Sequence, residues 1–173
     1  MKRTFALVAV ALFAVAANAQ MPDLKPSPQI EKLSWMLGKW SGSIHWTMEG
    51  MEMDATMSFE NVIDGQFVRS TSVMELMGMK MTESGFTGWD DKAKAYKSWT
   101  FTNFGAGPRT ETGKVDGDSM VFTSDPWQTL MSPEATVSRT TMKKVSASEI
   151  KLTLEFQQNG QFAKVGEGTF KKD

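Results

Sequence analysis

Trp40-Ser41-Gly42-Ser43-Ile44-His45-Trp46-Thr47-Met48 decides the fold, because its apolar and polar residues alternate without a break. A β-strand points successive side chains to opposite faces, so Trp40, Gly42, Ile44, Trp46 and Met48 share one face. Ser41, Ser43, His45, Thr47 and Glu49 share the other. Helical spacing cannot produce that separation. One side of this strand is expected to meet a core and the other to meet water.

The same period returns along the chain. It is clean in Met53, Ala55, Met57 and Phe59, in Trp99 and Phe101, and in Ile150, Leu152, Leu154 and Phe156, and rougher over 66–77 and 136–145. The intervening Asp64-Gly65, Asp90-Asp91, Asp116-Gly117 and Asn159-Gly160 are turn signals that separate about ten strands. Upstream, Ser27-Pro28 caps and starts a helix that carries Ile30, Leu33, Trp35, Met36 and Leu37 and stops at Gly38. Strands joined by hairpins, with no second helical layer, must hide their edges, and closing into an up-and-down antiparallel barrel does so. A β-sandwich satisfies the same periodicity. The single helix ahead of the first strand fits a barrel whose closed end it plugs.

Ahead of that helix, Lys2 and Arg3 precede an apolar run from Phe5 to Ala17 and the small-x-small ending Ala17-Asn18-Ala19. This reads as a secretory signal peptide over residues 1–19, cut near Ala19, with a Pro-containing linker and helix start over 20–32 and the barrel over 33–173. The expected location is periplasmic or secreted. The run is too short for a membrane anchor, and no later stretch approaches spanning length, so the mature chain is expected to have no integral membrane segment. Without Lys2 and Arg3, the 19 basic residues become 17 against 20 acidic ones, a net charge of about −3 that argues against a nucleic-acid partner. There is no cysteine, so an exported fold of this size must stand on its core alone.

In a meander the loops alternate between two rims, and the sequence treats the rims differently. One rim receives 48–53, 76–79, 104–108, 125–133 and Asn159-Gly160, and all but the last carry methionine or aromatic residues. The other receives tight polar turns at 64–65, 90–92, 116–117 and 146–148, together with Trp40 and the helix. The first composition suits the mouth of a small-molecule cavity, and the same methionines would equally cap a packed core. The polar end is the expected base.

Leu33-Ser34-Trp35-Met36-Leu37-Gly38-Lys39-Trp40-Ser41-Gly42 resembles the Gly-x-Trp segment of lipocalin-like (calycin) barrels, whose tryptophan closes the base. With Asp64-Gly65-Gln66-Phe67, Met77-Gly78-Met79, Gly85-Phe86-Thr87-Gly88-Trp89-Asp90, Lys94-Ala95-Tyr96-Lys97-Ser98-Trp99 and Asn103-Phe104-Gly105, the chain is similar to a family of uncharacterised bacterial lipocalin-like proteins. The likeness runs from about Leu33 to Phe170 and is firmest before residue 106. It implies a lipocalin-like barrel and export, and no activity. Related ten-stranded barrels of the nitrobindin type bind haem through a histidine late in the chain. Glu149 to Lys171 contain none, which disfavours haem, and no other cofactor is expected.

Candidate chemistry is sparse. There is no cysteine, no Gly-x-Ser-x-Gly, and a single histidine, His45, on the polar face of the first strand, so acyl-transfer catalysis is not expected. Glu75 and Glu83 stand on neighbouring strands where either could face inward. The expected function is non-enzymatic binding of a small apolar or amphipathic molecule by Trp46, Met57, Phe59, Trp99, Phe101 and Phe122. Arg69, in phase with Phe67 and Val73, and Arg139, in phase with Val137 and Thr141, are candidate carboxylate anchors. The alternatives are Cu(I) held by the soft thioethers of Met48, Met51, Met53, Met77 and Met79, and a protein-partner or membrane-surface contact by the same rim.

Overall fold

A computed structural model describes residues 25–48, 50–129 and 132–173, and the expected signal peptide and the start of the linker lie outside the described residues. Ten strands close into one antiparallel barrel in the order β1-β12-β11-β10-β7-β6-β5-β4-β3-β2. These are β1 (Gly38–Met48), β2 (Met51–Asp64), β3 (Phe67–Leu76), β4 (Met79–Asp90), β5 (Ala95–Thr102), β6 (Arg109–Asp116), β7 (Ser119–Ser124), β10 (Ser138–Ser146), β11 (Glu149–Gln158) and β12 (Gln161–Lys172). β1 pairs with both β2 and β12, which closes the ring and leaves no sheet edge. The segment read as one long loop contains a further hairpin, β8 (Trp127–Thr129) with β9 (Ser132–Thr136), between β7 and β10.

The base is packed as the opening stretch requires. Trp40, Ile44, Ile150, Val68 and Phe170 are fully buried, and Trp40 stacks on Phe59, which meets Phe170 edge-on at 5.2 Å. The Trp40 indole N–H donates to the Met36 carbonyl at 2.9 Å, and Asn61 donates to the same oxygen at 3.0 Å. That carbonyl is thereby satisfied inside the core, as a buried polar group must be.

The plug differs from the expected single helix. It is α1 (Pro28–Glu31), capped by the Ser27 hydroxyl, followed by a 3₁₀ turn over Ser34–Met36. Ile30, Leu33 and Met36 are all buried and spaced by three. A 3₁₀ turn repeats every three residues, so only that tighter winding keeps all three over the barrel opening. The i→i+3 bonds from Leu33 N–H to Ile30 O and from Met36 N–H to Leu33 O show it. Tyr96 Oη donates to Gln29 O at 2.7 Å, and the Gln66 side chain holds the Lys25 carbonyl and the Ser27 N–H, which fixes the plug to the β2–β3 and β4–β5 end.

Candidate functional site

The other end of the barrel is built differently. Its loops are 49–50, 77–78, 103–108, 125–137 and 159–160, so the methionine and aromatic segments do gather at one rim, opposite the plug. The β8–β9 hairpin leans on the β5–β6 loop there, through the Gly105–Thr129 bridge and the bond from Ala106 N–H to Gln128 O.

Below this rim the inner wall has two sides. Trp46 on β1, Met57 on β2, Met74 on β3, Met142 on β10 and Leu154 on β11 are half-buried against the core. Trp46 lies over Gly166 of β12, where a Cβ would come within 3.3 Å of the indole, and its buried N–H has no hydrogen-bond partner among the described residues. Across from them, β4 to β7 turn polar groups inward. In register, Thr87 faces Ser98 and Ser98 faces Glu111, while Gly85 faces Thr100 and Thr100 faces Arg109. Because the residues between are small, Arg109 on β6 reaches past β5 to Glu83 on β4.

A charged cluster results. Arg109 Nη1 donates to Glu83 Oε1 at 3.3 Å, and Nε stands 3.6 Å from Glu111 Oε1. The second distance is an ion pair too long for a hydrogen bond, so the buried Nε–H has no hydrogen-bond partner among the described residues. The Glu111 side chain is 8% exposed, and those of Arg109 and Glu83 are 17% and 24%. Burial pushes the Glu111 carboxyl above its ordinary pKa; Arg109 opposes the shift and Glu83 adds to it. Burial works to lower the Arg109 pKa, but the two carboxylates outweigh it and hold it above its usual value. Trp127 of the hairpin covers the guanidinium, with 5.1 Å from Cζ to the ring centroid, and its own N–H donates to Ser138 Oγ at 3.3 Å. Ser138 is held by Ser124 through both its N–H and its hydroxyl.

The residues singled out from sequence divide between the two faces. Phe59 and Phe122 are buried in the core, and Trp46 and Met57 line the apolar wall. Trp99 and Phe101 are not inside, as expected, but on the outer surface, 41% and 58% exposed. Their strand gives its inner face to Tyr96, Ser98 and Thr100, because Tyr96 must reach the plug. Neither arginine is an interior anchor. Arg69 faces outward with Phe67 and pairs with Asp64 at 3.6 Å. Arg139 lies outside β10, where both arms of its fork bind Glu155 at 2.6 Å and its guanidinium covers Phe162. That bidentate bond is the first cause of the lowered Glu155 pKa. Of the two glutamates, Glu83 faces inward and Glu75 is exposed. His45 is outside and bonded to Asp54 at 2.9 Å, which raises its pKa.

Met51, Met77 and Met79 are exposed on the neighbouring β1–β2 and β3–β4 hairpins, Met53 is half-buried on β2, and the Met48 side chain lies outside the described residues. Inside, Met57, Met74 and Met81 are register partners on three successive strands and belong to the apolar wall. The residues that sequence reading missed are Arg109, Glu111 and Trp127. A signal existed: Arg109 and Glu111 are in phase with Gly113 and Val115, so the period that places Val115 inside carries both charges with it.

A closed ten-strand antiparallel barrel with a plugged base and a charged cluster inside the opposite half defines the class of this protein. The chain belongs to the family described as protein of unknown function (DUF1579), whose model matches residues 25–172. It is similar in structure to the crystal structure of Rv2717c from M. tuberculosis, with a TM-score of 0.64 and 14% sequence identity over 86% of this chain and 99% of that one. At that identity the likeness speaks for the barrel alone. No curated protein matches the chain in sequence. Among the described residues, no helix is long and apolar enough to cross a membrane.

Proposed function

We propose that this is an exported, non-enzymatic binding protein of lipocalin-like build that holds a small amphipathic molecule in the mouth half of the barrel. The observation that carries the reading is the two-sided inner wall. A row of thioethers and Trp46 faces a bank of serine, threonine, glutamate and arginine. Binding sites for small molecules combine an apolar lining with a few converging polar groups, and this half of the barrel supplies both. Flexible methionine side chains suit a lining that adapts to an occupant. The Trp127 hairpin and the 103–108 loop close over that half from above, as a cover for a bound molecule would.

Export rests on the apolar N-terminal run and its Ala-x-Ala ending. The test is amide hydrogen exchange with the neutral probe N-phenyl-1-naphthylamine. Segments 77–81, 103–108 and 127–136 should gain protection, while the base turns at 65–66, 91–94 and 117–118 should not change. Equal protection at both ends, or none at the mouth, would remove the proposal.

A further inference from the structure

We propose that the outer wall of the barrel carries a saccharide-binding groove, over Gly88 and between Phe67 and Trp99. It is separate from the mouth and independent of what the mouth holds. A groove of about 390 Å³ lies there across β4, β5 and β6, a volume within the range of small-molecule sites. Phe67 and Trp99, 42% and 41% exposed, are its apolar walls. A Cβ at Gly88 would come within 2.8 Å of the Phe67 ring, so glycine is what lets that ring rest against β4. Phe86 meets the same ring edge-on at 6.3 Å and is itself the register partner of Trp99. Both walls are therefore held by their neighbours.

The polar groups of the groove decide its occupant. Lys97 shares the outer face of β5 with Trp99, and Thr110 and Thr112 stand opposite them on β6. Lys97 Nζ donates to Thr112 Oγ1 at 2.6 Å, and Thr110 Oγ1 donates to Asp125 Oδ2. Each pair fixes its members and leaves bonding capacity of both kinds. Two ammonium N–H groups and the Thr112 hydroxyl are left to donate, and Asp125 Oδ1 and the Thr110 oxygen are left to accept. Donors and acceptors side by side next to an aromatic ring match a sugar, whose C–H face packs on the ring while each hydroxyl at its edge both donates and accepts. An apolar tail, or the apolar face of a second copy, would bury these polar groups unpaired and lose their hydration. An anion would meet Asp90 and Asp125 in the same groove, and a cation would meet Lys97. A neutral polyhydroxyl ring escapes both conflicts.

A glycan array probed with the full chain tests this, with α- and β-linked oligomers of glucose, galactose, mannose and N-acetylglucosamine. At least one series should retain the protein, and calorimetric titration with a soluble oligomer of that series gives the affinity. Trp99→Ala should weaken that affinity about tenfold or more, as the loss of an apolar contact surface does. Asp125→Ala should weaken it as well, and its carboxylate is exposed, so the variant should unfold like the parent. Saturating N-phenyl-1-naphthylamine should leave sugar binding unchanged, because the groove lies outside the mouth. An array that retains the protein nowhere would overturn the proposal. So would sugar binding that survives both substitutions, or that the naphthylamine displaces, which would move the sugar into the mouth. Sedimentation velocity should show no self-association that depends on Trp99. A dimer that Trp99→Ala dissolves would overturn the proposal and give this face to a second copy.

Discussion

Strands β1 and β5 lie far apart around the ring and treat their two faces in opposite ways. On β1 the large apolar residues Trp40, Ile44 and Trp46 point inward, and Ser41, Ser43 and His45 point outward. On β5 it is Ser98 and Thr100 that point inward, while Trp99 and Phe101 face out beside Phe86 and Phe67. Both strands alternate perfectly. Alternation reports that a strand has two different faces, but the neighbours with which it pairs decide which face is inside. Where apolar residues face out, the inner wall is free to be polar, and β5 with its neighbours is where the charged cluster sits.

This contrast can be broken first at its strongest point. Trp40→Ala removes a fully buried indole and one of the two donors to the Met36 carbonyl, and should cost about 3–5 kcal/mol in urea unfolding. A variant as stable as the parent would mean the base is not the core.

The second break compares the inner and outer arginine–glutamate pairs. Arg109→Met leaves Glu83 and Glu111 facing each other in a mostly buried place, and should cost about 2–3 kcal/mol at neutral pH, discounted from a fully buried pair because Glu83 is partly exposed. Glu111 has a folded pKa raised above its unfolded value. Its contribution is therefore complete below the unfolded pKa and is lost as pH rises through the folded one. Removing Arg109 takes away the influence that opposes the shift, so the deficit of the variant should shrink on acidification, when the Glu111 carboxyl takes up a proton. Glu155 behaves in the opposite way. Its folded pKa is lowered, so the stability it lends is present above the unfolded pKa and lost as pH falls through the folded value. The deficits of Arg109→Met and Arg139→Met should therefore both shrink on acidification, but that of Arg109→Met should be the larger at neutral pH and begin to shrink at a higher pH, because burial already raises the Glu111 carboxyl; deficits of equal size and pH profile would contradict the inner placement of Glu111.

The smallest expected effect sharpens the comparison from the outer side. Trp99→Ser removes a large residue from the surface, and should cost roughly 1 kcal/mol or less, because much of the ring already meets water. It should also leave binding of N-phenyl-1-naphthylamine unchanged. A loss comparable to that of Trp40→Ala would show that β5 presents its other face to the core.

Much of the architecture was legible in the residues themselves. The period of two in 40–48, the turn dipeptides and the single helix start led to a closed ten-strand barrel with a plugged base. The loop compositions also separated the two rims correctly, because in a meander the rim of each loop follows from counting strands. The site was only partly legible. Trp46 and Met57 were placed on the inner face because β1 and β2 follow the common rule of apolar inside, whereas Trp99, Phe101, Arg69 and Arg139 were sent to the wrong face by the same rule. Arg109 and Glu111 went unnoticed, since a charged residue on a strand ordinarily belongs in water. The sequence determined on its own everything that depends on local covalent geometry: which residues alternate, where the chain turns, and where the helix begins. Only the closed barrel decided which face of each strand is buried and that a guanidinium lies between two carboxylates inside, because those depend on side chains from β4 and β6 meeting across β5, a contact that no stretch of chain encodes locally.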